Sequence, residues 1–96
     1  MPSLLLDKKV TVITGATRGI GLATAKLFSE AGAHVVLMGR CIDTLEQACE
    51  EICKAQHDAR IDAVVCDVAD PLSVRDAFQF VFRRHKKLHA LVANAG

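Results

Sequence analysis

Thr14-Gly15-Ala16-Thr17-Arg18-Gly19-Ile20-Gly21 decides how this chain folds. Before it stands Val10 to Thr14 (VTVIT), a β-branched run of the kind that a strand buried on both faces requires. After it, from Gly19 onward, Ile20, Ala23, Thr24, Leu27, Phe28 and Ala31 fall at helical spacing, and Gly32 offers a left-handed stop. The pattern is strand, glycine turn, helix. Glycines at such a turn let the chain reverse sharply, let a pyrophosphate approach the backbone and let the helix pack tightly on the strand. The free amides of the first helical turn then face the phosphates. Glycines alone would be an ordinary flexible turn, and the strand before and the helix after are the context that a nucleotide site adds.

The same unit returns along the rest of the chain. Val35 to Met38 (VVLM) reads as a second strand, and Ile42, Leu45, Ala48, Cys49 and Ile52 mark an amphipathic helix running to about Gln56. Ile61 to Cys66 gives a third strand. Asp70 followed by Pro71 starts a helix, the carboxylate capping free amides and the proline set for the first turn. Leu72, Val74, Ala77, Phe78, Val81 and Phe82 build that helix. Arg83 to Lys87 close it, where the negative end of the helix dipole favours cations. That basic run is therefore expected to be a solvated helix end and not a nucleic-acid or membrane patch. Ala90 to Ala93 (ALVA) forms a fourth strand, ahead of Asn94, Ala95 and Gly96. Strands alternating with helices call for a parallel sheet, and right-handed crossovers give the order 3-2-1-4. The expected fold class is α/β, the first half of a doubly wound parallel sheet, with residues 1–96 as one partial domain.

Bulk composition narrows the partners. Twelve Lys and Arg against 11 Asp and Glu leave a net charge of +1, so neither a nucleic-acid footprint nor an acidic tail is indicated, and a small molecule is the expected partner. Leu4 to Leu6 is too short for a signal-peptide core of roughly 7–15 residues, and no stretch reaches the roughly 20 apolar residues of a membrane span. A cytoplasmic protein is expected. Cys41, Cys49, Cys53 and Cys66 then read as reduced thiols. Cys49, Cys53 and His57 recur every four residues and could clasp a metal, but Cys49 shares the apolar stripe with Leu45 and Ile52, and no fourth ligand is in register. Core or half-exposed thiols are the simpler expectation.

Three further positions carry chemistry. About 20 residues past the glycines an acid would grip the ribose hydroxyls of NAD. This chain has Gly39-Arg40 there instead. A guanidinium suits a 2′-phosphate, and Arg18 stands on the same side inside the glycine loop, so NADP is the favoured cofactor. Asp43, three residues on, would serve NAD if the loop folded back. Asp67 ends the third strand and could accept from the adenine amino group while Val68 covers the ring. Asn94, Ala95 and Gly96 fall at the carboxyl end of strand four, beside the glycine loop, at the switch point of a 3-2-1-4 sheet.

With TGATRGIG at Thr14 to Gly21, Asp67-Val68 and Asn94-Ala95-Gly96 in place, the whole chain resembles the short-chain dehydrogenase/reductase family, and within it the 3-oxoacyl-carrier-protein reductase-like ketoreductases. The resemblance implies a Rossmann-type fold in which Gly15, Gly19, Ile20 and Gly21 hold the cofactor phosphates, with Thr14 and Thr17 in the same loop. It further implies that Arg18 and Arg40 select NADP, that Asp67 and Val68 contact adenine, and that Asn94 and Gly96 lie under the nicotinamide ribose. Asn94 would also tie strand four to the loop beside Thr14. Where the family often has two asparagines before Ala-Gly, Ala93 replaces the first. Family members catalyse with a serine and a Tyr-x-x-x-Lys pair, and these 96 residues contain no tyrosine. Ser3, Ser29 and Ser73 are expected at the terminus or on helices, away from the strand ends where the cofactor would lie. The expectation is a cofactor-binding fragment of an NADP-dependent oxidoreductase acting on a carbonyl or alcohol, a homo-oligomer when complete. The alternative is a non-catalytic product that binds nucleotide or pairs with a partner through the exposed edge of strand four.

Overall fold

Strand two shows why the sheet is parallel and covered on both sides. In a computed structural model, which describes residues 5–94, it runs His34–Gly39 and buries Val35 to Met38 almost completely. Alternation sends Val35 and Leu37 to one face and Val36 and Met38 to the other. The chain order is β1 (Val10–Thr14), α1 (Gly19–Glu30), β2 (His34–Gly39), α2 (Ile42–Ala55), β3 (Arg60–Val65), α3 (Pro71–His85) and β4 (Ala90–Val92). All pairings are parallel and the sheet order is β3-β2-β1-β4, as the sequence implies. Val12 of β1 sits opposite Val36 of β2 on one side and Leu91 of β4 on the other.

Two cores result, one on each face. Ile13, Val35 and Leu37 pack with Ala25 of α1 and with Leu45, Ala48 and Ile52 of α2. Val10, Val12, Val36 and Met38 pack with Cys66 and with Ala77 and Val81 of α3. β4 lies at an edge, with Leu91 half exposed, whereas Val92 turns inward against the first core.

Helix α1 corrects one expectation. Its buried row is Gly21, Ala25 and Ser29, while Ile20 and Leu27 face outward, 79% and 64% exposed. The larger apolar residues suggested a stripe rotated from the true one. Small residues take the inner face because the helix must approach the glycine turn closely, and side-chain size outweighs hydrophobicity there. Ser29 Oγ is buried on that row with no hydrogen-bond partner among the described residues.

The helix ends follow their local chemistry. Asp70 Oδ1 accepts from the Leu72 N–H at 3.0 Å with Pro71 in the first turn, and Lys86, at φ 66°, turns the chain out of α3. Gly32, at φ 93°, ends α1 as expected. α2 stops at Ala55, and Gln56 is extended at φ −139°. His57 therefore leaves the row of Cys49 and Cys53, and these three are not among the metal-ligating groups found in the described residues.

At the amino ends of the strands, Asp62 of β3 meets His34 of β2 with Arg84 and His85 of α3. Partial burial opposes ionisation of Asp62, but the bond from His85 and the charges of His34 and Arg84 outweigh it and hold the carboxyl below its ordinary range. Burial, reinforced by His85, lowers the His34 imidazole against the pull of Asp62. Nearby, the Val10 N–H donates to His89 Nδ1 and the His89 N–H to the Val10 carbonyl, both at 2.9 Å, fastening the approach to β4 onto β1. No helix among the described residues is long and apolar enough to cross a membrane.

Candidate functional site

The carboxyl ends of the strands open into a cleft of about 960 Å³. Thr14, Gly15, Thr17, Arg18, Gly19 and Ile20 form one wall, Arg40 comes from the end of β2, Asp67 and Val68 from the end of β3, and Asn94 from beyond β4. The structure thus brings together ten of the positions singled out from sequence. Gly21 lies beneath the loop, buried in the first turn of α1. Ala95 and Gly96 lie outside the described residues.

Backbone geometry explains the glycines. Gly15 and Gly19 both take φ +61°, a conformation that side chains disfavour. A Cβ on Gly15 would run into the Asn94 carbonyl, and one on Gly21 into the Gly15 carbonyl and, at 2.7 Å, Asn94 Nδ2. Around Gly19 nothing lies within 4 Å of such an atom, because this residue turns toward the open cleft. Arg18 precedes α1 in extended conformation and gives it no side-chain cap, and no acidic residue occupies the first turn. The amides of that turn therefore receive no bond from the capping side chain.

Asn94 holds the loop to the sheet. Its Nδ2 donates to the Gly15 carbonyl at 3.0 Å and its N–H to Thr14 Oγ1 at 3.1 Å, while Thr14 Oγ1 donates to the Val92 carbonyl at 3.4 Å. At the opposite wall, Asp67 Oδ1 accepts from the Ala69 N–H at 3.0 Å, which pins the carboxylate at the turn after β3.

One serine was misplaced by the sequence. Ser73 Oγ accepts from the Asp67 N–H at 2.9 Å, so it stands at the end of β3 and not away from it. The short connection through Asp70-Pro71 folds the first turn of α3 back onto that strand end. Sequence also missed Cys41, at the N-cap of α2, and Thr44, Gln47, Ala48 and Glu51 of α2, all of which line the cleft. Their spacing of three and four along the helix next to Arg40 was the available signal. Asp43 is not among the lining residues, since it lies on another side of the same turn.

The charges in the cleft divide by partner. Arg18 and Arg40 enter no salt bridge among the described residues, whereas Glu51 pairs with Lys26. The backbone N–H groups of Thr44 and Asp43 hold the exposed Cys41 thiol below its usual range. Burial, countered by a bond from Ser73 and helped by the charge of Asp67, pushes the Cys66 thiol up.

The family model described as short chain dehydrogenase matches residues 9–96. The chain belongs to this family. The short-chain dehydrogenase resembles, at 40% identity over 87 residues, the WW domain-containing oxidoreductase of Pongo abelii, covering 91% of this chain and 21% of that protein. It is 34% identical over 96 residues to the short-chain dehydrogenase reductase 3c of Arabidopsis thaliana, covering 100% of this chain and 36% of the relative. Among solved structures, L-sorbose reductase from Gluconobacter frateurii, complexed with NADPH and L-sorbose, superposes with a TM-score of 0.88 at 37% identity, covering 99% of this chain and 36% of that one. The chain therefore spans between 21% and 36% of the length of these relatives.

Proposed function

We propose that this short-chain dehydrogenase chain is the NADP-binding part of an oxidoreductase that interconverts a carbonyl and an alcohol, working as a homo-oligomer in its complete form. The observation that carries the cofactor choice is the pair of guanidiniums, Arg18 and Arg40, which line one cleft without carboxylate partners among the described residues. A 2′-phosphate supplies the charge they lack, and charge-assisted bonds to it outweigh what a ribose hydroxyl offers. The L-sorbose reductase structure, holding NADPH, supports the same choice.

Each wall of the cleft fits one part of that cofactor. The uncapped amides at Gly19 to Gly21 suit the pyrophosphate, and the bare Gly15, where a Cβ would collide with the Asn94 carbonyl, lets the turn keep the shape that presents them. Asp67, fixed by Ala69 and Ser73, suits the adenine amino group, with exposed Val68 free to lie over the ring. Asn94 sets the depth of the nicotinamide end by holding the loop to β4. When bound, the nicotinamide supplies hydride transfer. The chain's own part is to bind and orient it, because a proton donor of the family's tyrosine type is absent from these 96 residues.

Calorimetry tests this directly. NADPH is expected to bind about tenfold or more tighter than NADH, and Arg40→Ala should erase most of the difference. No ketoreductase turnover is expected from this chain alone. Equal affinities in the unaltered chain would end the NADP reading, and turnover in pure material would end the division of labour.

A further inference from the structure

Alternation decides which side chains meet at the amino ends of the strands. His34 of β2 and Asp62 of β3 share the face of Val36, Met38 and Val64, on which α3 packs. As the crossover to parallel β4, α3 returns along the sheet, so its last residue, His85, arrives beside the first residue of β2. His34 Nε2 lies 3.1 Å and His85 Nε2 3.0 Å from the same atom, Asp62 Oδ2. The two rings meet edge to face with centroids 4.2 Å apart. The three ligating atoms lie within 4.8 Å of one another, the one such group found among the described residues. A carboxylate needing charge balance alone is already served, because Arg84 Nε donates to Oδ2 at 3.0 Å. Two imidazoles aimed at that oxygen are in excess of this need.

We propose that His34, Asp62 and His85 form a binding site for a divalent transition-metal ion of the zinc class, at the end of the sheet opposite the cofactor cleft. Two imidazole nitrogens and one carboxylate oxygen are a set that zinc accepts with a fourth position open to water. At bond lengths of about 2.0–2.2 Å, tetrahedral ligands stand roughly 3.3–3.5 Å apart, so the contacts to Oδ2 need to open by only a few tenths of an ångström. The side chains of His34, Asp62 and His85 retain 22%, 19% and 10% exposure, which leaves the ion a path from solvent. Their backbones are fixed in advance by the β2–β3 pairing and by Ala77 and Val81 in the core. Arg84 is the cation that must give way, and its side chain, 55% exposed, can withdraw into water. The site does not depend on the cofactor reading, and its ligands take no part in the cleft.

Titrating the chelator-treated chain with zinc chloride is expected to show one saturable equivalent and a raised thermal midpoint. Cobalt(II) should show the visible bands of a nitrogen and oxygen site without a sulfur-to-metal charge-transfer band, a signature readable on the unaltered chain. His85→Asn should weaken zinc binding about tenfold or more, while Arg84→Ala should strengthen it by removing the competing charge. The Cys49→Ser/Cys53→Ser double substitution should leave the affinity unchanged. Absence of a saturable equivalent, a thiolate band with cobalt, or zinc affinity indifferent to His85→Asn would each overturn the proposal. Should His85→Asn fail to fold, the cobalt spectrum and the Arg84→Ala titration decide.

Discussion

At the carboxyl ends of the strands this chain presents backbone, and at the amino ends it presents side chains. The glycine turn of the cleft depends on what is missing: no Cβ at Gly15 or Gly21, no cap on α1, no acid in its first turn. The His34, Asp62 and His85 group depends on what is present, three polar side chains delivered by three elements to one oxygen. A site made of absent atoms fails when an atom is added, and one made of ligands fails when an atom is removed. The glycine turn and the amino-end group should therefore respond to opposite kinds of substitution.

The sharpest way to break that contrast is to add a methyl group. Gly15→Ala should cost about 2–4 kcal/mol in urea denaturation, because left-handed strain adds to a collision with the Asn94 carbonyl. Gly19→Ala has the same φ and open space, so only the strain of about 1–2 kcal/mol should remain. Equal costs would show that the loop tolerates crowding and that the close approach of Asn94 is not what fixes it. Ser29→Ala tests the middle of α1, where a buried hydroxyl serves neither end; it should raise stability by about 1 kcal/mol. A loss of stability there would mean that the hydroxyl has a partner after all. The smallest effect is a rate. Cys41, exposed in the cleft and with its thiol held low by backbone amides, should alkylate before buried Cys66, and NADPH should slow it a few-fold in peptide mass spectrometry. Protection by zinc and not by NADPH would exchange the roles of the two ends.

The same contrast explains what could be read in advance. A backbone-built cleft leaves a contiguous record, since Gly15, Gly19 and Gly21 must stand within seven residues of one another and directly after VTVIT. The four strands, their order and the Asp70-Pro71 helix start were legible for a related reason: each follows from local alternation or local capping. The inner face of α1 was not, because hydrophobicity points to Ile20 and Leu27 while the fully buried row is Gly21, Ala25 and Ser29, with Leu22 and Phe28 packed at its margins. Ser73 was misread for want of the angle at which α3 folds back on β3. The amino-end group was invisible. His34, Asp62 and His85 are separated by 28 and 23 residues, and only the order of strands together with the length of α3 makes them neighbours.

The bond from Asn94 to the Gly15 carbonyl spans 79 positions of the chain. Contacts of that sequence separation pay their loop-closure entropy late, after nearby pairings such as β1 with β2 have formed. A chain leaving the ribosome would thus hold most of its hydrophobic sheet before its glycine turn acquires its final shape. The shape of the turn at Gly15 then becomes a report on whether Asn94 has reached it.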